Sequence, residues 1–464
     1  MEANYGREII ERVARRMAND DYSTAFTGID APSTALEMLR FKLEQYTNEP
    51  IPAPTHAFGI EWNEQSQMEL QVHPRGPCCL FRDISDFWHP SVKRVIADMK
   101  RLEENMSLHK FLPIIKSRKA VVLEAYCLVH KRRCKLRRTR CHIAGPPCVG
   151  FSLMGAQKGG EDDSIEHFAC WASLVLILRF PIVLHENVKL CKMTLLKSCF
   201  EPEYRIQEAV VDGADFGLPS RRERAYRAML LDSATTRVAY PLNGIVELWG
   251  RKCECNFEIY FVATPDQVQR GKLWGMTRPS YKERAAAMTG AEYASILEED
   301  GNPSFWWTLT EDEQDNLEDY KRLYPGRRVY QLNQHATKVP MCSSEDGHLM
   351  TIIKNSTTLW FENRWMTYEE LLLSQGFPCL HGEDIPVCCS FQVDRTDYGF
   401  PPRCRNACVE QAGNSMNIAC IGFMHLWRLA FVAQADESVA AMASQLVQEG
   451  HKRRKLLGDR SAAW

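Results

Sequence analysis

Short apolar runs that close on a glycine turn or an acid, each followed by a stretch of helical periodicity, recur along the N-terminal half of this chain. No other feature restricts its fold as much. Residues 7–17 carry a helical pattern, and the β-prone run 22–26 then enters FTGIDAPSTALEML, a turn leading into a second helix. The alternation repeats with HAFGIEW as a strand, a polar helical stretch through Leu70, and CCLFRDI as a strand ending in an acid. Residues 92–129 read as helical material. A strand at residues 141–144, a helix over 167–179 and the apolar strand PIVLHENV follow. Strands separated by helices can bury both faces only as a parallel sheet with helices on each side, so the expected fold is α/β, a doubly wound sheet.

A chain of 464 residues exceeds what one small core organises, and the alternation fades between residues 231 and 361, where aromatic clusters such as Phe305-Trp306-Trp307 appear. The expected organisation is a sheet domain over residues 1–230 and a smaller, irregular second domain over 231–366. Residues 367–464 return to the first domain through a helix at 367–375, a long apolar helix at 417–433 and a basic tail.

Apolar residues make up 45% of the chain and charged residues 25%, the balance of an ordinary globular protein rather than a disordered one. The N-terminus carries charges where a secretory signal needs an apolar core, and no run reaches membrane-spanning length, so a soluble intracellular protein is expected. Its eighteen cysteines then read as reduced thiols. Three close pairs, Cys253 with Cys255, Cys388 with Cys389 and Cys404 with Cys408, lack the knuckle spacing of a zinc site, and no metal is expected. The net charge of −2 does not announce a nucleic-acid binder, but KRRCKLRRTR at 131–140 and KRRK at 452–455 are local basic runs that could face phosphate or direct the protein to the nucleus.

Three segments carry chemistry. In AGPPCVGFS, Cys148 follows two prolines directly after a strand, at the carboxyl end where such sheets bind ligands. LHENVKL puts Glu186 and Asn187 at the end of another strand, so acid and thiol should emerge on one edge. In PSRRERAY, Arg222 and Arg224 alternate and would project the same way on a strand. A thiol, a carboxyl and paired arginines at strand ends suit methylation of carbon 5 of cytosine. Addition of a thiolate to carbon 6 turns a poor carbon nucleophile into an enamine, and a protonated carboxyl at ring nitrogen 3 neutralises the developing charge. The target atom is inaccessible in a stacked duplex, so the base would have to be flipped out.

With these segments in hand, the sequence resembles the cytosine-5 DNA methyltransferase family, eight motifs running in the family's order from Phe26 to about Trp427. The resemblance implies an S-adenosylmethionine-dependent enzyme with a Rossmann-like methyltransferase sheet and a target-recognition domain at 231–366. FTGIDAPSTAL would be the cofactor loop, with Phe26, Gly28 and Ile29. In IEWNEQSQMEL, Glu61 would bind the ribose hydroxyls and Trp62 would lie against the adenine. FRDIS places Asp83 and Ile84 at the adenine, and GPPCVGFS supplies Pro147 beside the nucleophile Cys148. HENV supplies Glu186, RRER supplies Arg222 and Arg224, TYEELLLSQGFP precedes the closing motif, and QAGNSMNIA closes the cofactor pocket with Asn414 and Ser415. The segment 153–163, with Lys158, would be a lid over nucleic acid.

The chain departs from the family at four places. Asp30-Ala31 stands for the glycine pair of the cofactor loop, which would put a carboxylate near the methionine end of the cofactor. Val149 and Ser220 stand where the family has glutamine, and His167 where it has an apolar contact. The branch that methylates transfer RNA carries a Cys-Phe-Thr signature absent between residues 231 and 361, so double-stranded DNA is the expected substrate and a monomer the expected form. The alternative from another class is a catalytically silent nucleic-acid-binding homologue, which the altered cofactor loop favours and the intact Cys148, Glu186, Arg222 and Arg224 oppose.

Overall fold

The computed structural model describes residues 2–73, 75–102, 107–147, 164–338, 340–353, 359–361, 363–378 and 405–434. Cys148, the segment 153–163 and the basic tail lie outside them.

The chain begins with α1 (Glu2–Ala18), β1 (Asp21–Ala25), α2 (Ala31–Thr47), β2 (Thr55–Ile60), α3 (Glu64–Val72) and β3 (Cys79–Phe81). Next come α4 (Pro90–Arg101), α5 (Leu108–Ile115), β4 (Glu124–Cys127), β5 (Arg132–Lys135), β6 (Cys141–Ala144) and α6 (Ile165–Leu178). β7 (Ile182–Asn187), α7 (Met193–Phe200), β8 (Tyr204–Val211) and β9 (Arg224–Leu231) complete a nine-stranded sheet of order β5-β4-β3-β2-β1-β6-β7-β9-β8. Its five central strands are parallel, and antiparallel hairpins extend both edges. The strand order reverses between β1 and β6, and that switch point opens a crevice at the carboxyl edge.

Residues of one strand divide between two cores, as the period of two demands. Ile143, Ile182 and Leu184 join a core with α1 and α2, whereas Ala144 and Val183 join one with α5, α6 and α7. The sheet is covered on both faces, as the alternation requires. The segment 92–129 is less helical than expected, because Glu124–Cys127 is a strand.

The region after β9 is more regular than its sequence suggests. It holds β10 (Thr235–Val238), α8 (Ile245–Trp249), α9 (Pro265–Met276), α10 (Pro279–Ala287), α11 (Gly290–Ser295), α12 (Glu311–Leu323) and the small sheet β11 (Val329–Gln331), β12 (Leu359–Phe361) and β13 (Arg364–Trp365). Phe305, Leu309, Leu317, Tyr320, Leu332 and Trp365 form a core of their own there. The chain then returns through α13 (Tyr368–Ser374), α14 (Arg405–Asn414), α15 (Ile418–Phe431) and β14 (Val432–Gln434), which pairs with β10. α15 packs on α2 and α1 and fills the first core. Among the described residues no helix is long and apolar enough to cross a membrane.

Candidate active site

Because β3, β2 and β1 are parallel neighbours, the loops after them emerge side by side. After β1 the chain turns sharply, with Phe26, Gly28 and Asp30 at φ of 57°, 60° and 63°. A β-carbon on Gly28 would meet nothing within 4 Å, so the left-handed backbone calls for glycine while the space beside it stays open. The Gly28 N–H donates to Glu61 Oε2 at 3.0 Å, and the Asn63 N–H donates to Glu61 Oε1 at 3.0 Å. Burial pushes the Glu61 carboxyl up to about 7 despite these backbone donors. A carboxylate with one donor on each oxygen retains further acceptor sites. Next to it the indole of Trp62 is 60% exposed, a large apolar surface left uncovered at the crevice. Asp83, after β3, caps the following turn by accepting the Ser85 N–H at 2.8 Å. Ile29 and Ile84 are buried in the two cores, so their side chains support the loops from beneath.

The Asp30 carboxylate does not face the crevice. It is fully buried, with Oδ2 accepting from the Ser33 hydroxyl and lying 3.3 Å from His56 Nδ1. His56 Nε2 meets Thr24 Oγ1 at 3.0 Å, its ring stacks on Tyr22 at 4.6 Å, and the Tyr22 hydroxyl lies 2.6 Å from Ser33 Oγ. Burial raises the Asp30 carboxyl, but the charge and hydrogen bond of His56 outweigh it and hold the group below its ordinary value. The residue that replaces a family glycine is thus absorbed into a polar cluster between β1, β2 and α2, rather than placed against the methionine end of a cofactor.

The candidate catalytic residues lie across the switch point. β6 leads into Gly145-Pro146-Pro147, directly before Cys148. At the end of β7 the Asn187 amide donates to the Pro146 carbonyl at 3.3 Å, tying the two strand ends together. Glu186 Oε1 lies 3.3 Å from Arg224 Nε, both side chains mostly buried. A β-carbon on Gly145 would fall 2.9 Å from Met416 Cε, 3.2 Å from the Phe26 carbonyl and 3.3 Å from Glu186 Oε2. The turn after β1, the acid and the segment after α14 therefore converge on the residue that opens the proline turn, where a side chain would have to push the Met416 methyl aside and crowd the Phe26 carbonyl. Met416 and this role of Gly145 were not evident from the sequence, since both depend on a segment returning from the far end of the chain.

Arg222 and Arg224 part company. Arg222 precedes β9, so the pair does not share a strand face as expected. Arg222 is buried, and its guanidinium donates to the carbonyls of Ile352 and Gly413, each at 3.0 Å, while its N–H donates to Asp212 at 2.7 Å. It is a clamp on the segment just before Asn414 and Ser415. Ser220, which stands for the family's glutamine, donates to the Ser374 carbonyl at 2.8 Å and docks the end of α13. Asn414 is exposed, whereas Ser415 is buried and donates back to Ala412.

The family model of C-5 cytosine-specific DNA methylases matches residues 130–421. This chain belongs to that family. The match takes in the proline turn, Glu186, both arginines and the segment of Asn414 and Ser415. Among curated relatives, it is 34% identical over 91 residues to the type II methyltransferase M.HhaI of Haemophilus parahaemolyticus, covering 18% of this chain and 28% of that protein. It is also 34% identical over 92 residues to M1.ScrFI of Lactococcus lactis subsp. cremoris, covering 18% of this chain and 24% of that one. The matched stretch thus spans about a quarter of either relative. Similar solved structures include a putative DNA modification methyltransferase of an Escherichia coli prophage, at 13% identity and a TM-score of 0.44, covering 88% of this chain and 97% of that one. Another is the Schizosaccharomyces pombe Dnmt2 methyltransferase, at 13% identity and a TM-score of 0.42, covering 88% and 98%.

Proposed function

We propose that this protein methylates carbon 5 of cytosine in double-stranded DNA, with Cys148 as the nucleophile and S-adenosylmethionine as the methyl donor. The observation that carries the reading is the convergence at Gly145, where Glu186, paired with Arg224, stands beside the turn that delivers Cys148. The Cys148 thiolate adds to carbon 6 of a flipped base and makes carbon 5 nucleophilic. Glu186 holds a proton toward ring nitrogen 3 and Arg224 orients that carboxyl; once carbon 5 has taken the methyl group, loss of its proton to water with expulsion of the Cys148 thiolate restores the ring. Arg222 is a positioning residue, since its hydrogen bonds run to the closing segment.

The crevice fits a purine nucleoside bearing a sulfonium. Glu61 offers acceptors to ribose hydroxyls, Trp62 an apolar face to the adenine, and Phe26, Gly28 and Ile29 the turn beneath; Asp83, Ile84, Pro147, Asn414 and Ser415 are the remaining residues assigned to the cofactor on the family resemblance. When bound, the cofactor supplies a methyl group already activated by its positive sulfur. Residues 231–366, with a core of their own, are the proposed target-recognition domain. Nuclear residence is proposed on the two basic runs alone.

The acceptor is tested by incubating the protein with S-adenosylmethionine labelled in its methyl group and either unmethylated DNA or transfer RNA. Label in DNA is expected. Label confined to transfer RNA would overturn the substrate, and label in neither would overturn the enzyme.

Cofactor binding should follow the charge of Glu61. Because burial raises this carboxyl from 4.5 to about 7, its ionised form is costly in the free protein, and stability falls as pH rises across that window. Hydroxyl donors from a ribose favour the ionised form. The affinity for S-adenosylhomocysteine is therefore expected to fall by up to about tenfold per pH unit below 7. Calorimetric titrations of wild type and Glu61→Gln check it, the variant binding more weakly with a flat profile. A flat wild-type profile would contradict the role.

A further inference from the structure

At the β5 edge of the sheet, far along the strand order from the switch point, three thiols and an imidazole meet. Cys79 comes from β3, Cys127 from the end of β4, His130 from the hairpin turn and Cys134 from β5. Their ligating atoms all lie within 4.8 Å of one another. None of the three cysteines is in a disulfide. Cys134 pairs across from Ala125, two residues before Cys127, so both hairpin thiols project from the same face, over Cys79.

His130 Nδ1 lies 3.5 Å from Cys127 Sγ, 3.5 Å from Cys134 Sγ and 3.6 Å from Cys79 Sγ. One ring nitrogen carries either one proton or one lone pair, so it cannot hydrogen-bond three sulfurs at once. A tetrahedral metal explains the geometry: Zn–S bonds of about 2.3 Å and a Zn–N bond of about 2.0–2.1 Å give sulfur-to-nitrogen edges of about 3.6 Å. The His130 N–H, 3.5 Å from Cys127 Sγ, is aimed to steady a thiolate there. Apolar packing alone gives no reason for four ligand-type side chains from three strands and a turn to share one point on a part-exposed edge.

We propose that Cys79, Cys127, His130 and Cys134 bind one zinc ion as a closed, structural site. Three thiol protons pass to water as three Zn–S bonds and one Zn–N bond form, and no electron moves. The ion fastens the β4–β5 hairpin to the central sheet. β3 and β4 share only the pair Phe81 and Cys127, so the hairpin's backbone attachment is slight. The hairpin also bears the exposed Lys131, Arg132, Arg133 and Lys135, four like charges on an edge that needs such a fastening. With four protein ligands there is no open position for catalysis.

The test is elemental analysis of the full-length protein purified without chelators, beside Cys79→Ser, Cys134→Ser and Cys253→Ser. Cys253 lies 3.8 Å from Cys255 in a separate pair and serves as the control. One zinc per chain is expected in wild type and Cys253→Ser, and none in the other two. If the serine variants fail to fold, cobalt exchanged into wild type decides, through the intense visible bands of a tetrahedral site and thiolate-to-metal charge transfer. Wild type free of zinc and without that spectrum, or zinc retained in both Cys79→Ser and Cys134→Ser, would overturn the proposal.

Discussion

Replacing Glu186 with glutamine is expected to lower the rate of methyl transfer by about 10²–10⁴-fold. The substitution keeps the shape of the side chain and an oxygen facing Arg224, whose Nε stands 3.3 Å from the carboxylate. It removes the proton that the carboxyl would lend to ring nitrogen 3, which no amide replaces. Glu186 is set by the end of β7, with Asn187 beside it anchored to Pro146, so its position should survive the change. Kinetics under saturating cofactor, with a thermal melt and cofactor titration alongside, separate chemistry from structure. A fall in kcat with unchanged melting and cofactor affinity is the expected outcome. Wild-type kcat in Glu186→Gln would remove the acid from the mechanism.

The largest stability effect is expected far from the chemistry, at Arg428. This side chain of α15 is almost wholly buried, its Nη2 is 2.5 Å from Asp20 Oδ2, and its Nε donates to His425 at 3.1 Å. Asp20 stands directly before β1, so the ion pair locks the returning helix onto the strand that carries the turn proposed to hold the cofactor. Burial disfavours the guanidinium charge, but Asp20 more than compensates and holds its pKa above the ordinary value. Arg428→Leu strands a buried carboxylate and should cost about 3–5 kcal/mol in chemical denaturation. Replacing both partners by leucine should recover much of that, because the penalty comes from the orphaned charge. A loss below about 1 kcal/mol in the single variant would mean that water reaches Asp20 and the lock is weak.

The parallel core was legible because its signals are local. Apolar runs such as PIVLHENV and the glycine or acid closing each one mark strands β1, β2, β3, β6 and β7, and periodicity marks the helices between them. The β4–β5 hairpin escaped because its turn runs through His130 and Lys131, with Lys131 at φ 54°, where a glycine or asparagine would have signalled the bend. Its four clustered ligands escaped for a related reason: Cys79 lies far from the other three in sequence, so no spacing rule unites them. Helices α9, α11 and α12 each open with a Thr-x-x-Glu or Thr-x-x-Gln capping box, at Thr264, Thr289 and Thr310, a local signal of helix starts within a stretch whose strand-helix alternation had faded. Arg222 and Asp30 illustrate the other limit. Their residue types suit contact with a ligand, but packing against Gly413 and His56 turns both inward.

The central claim is that Cys148 carries the reaction, and the most direct measurement is transfer of labelled methyl to DNA by wild type and Cys148→Ser side by side, with matched melting curves and cofactor affinity. Label in DNA is expected with wild type and none with Cys148→Ser, because the serine hydroxyl does not add to carbon 6 as a thiolate does. Transfer by Cys148→Ser at the wild-type rate would contradict it.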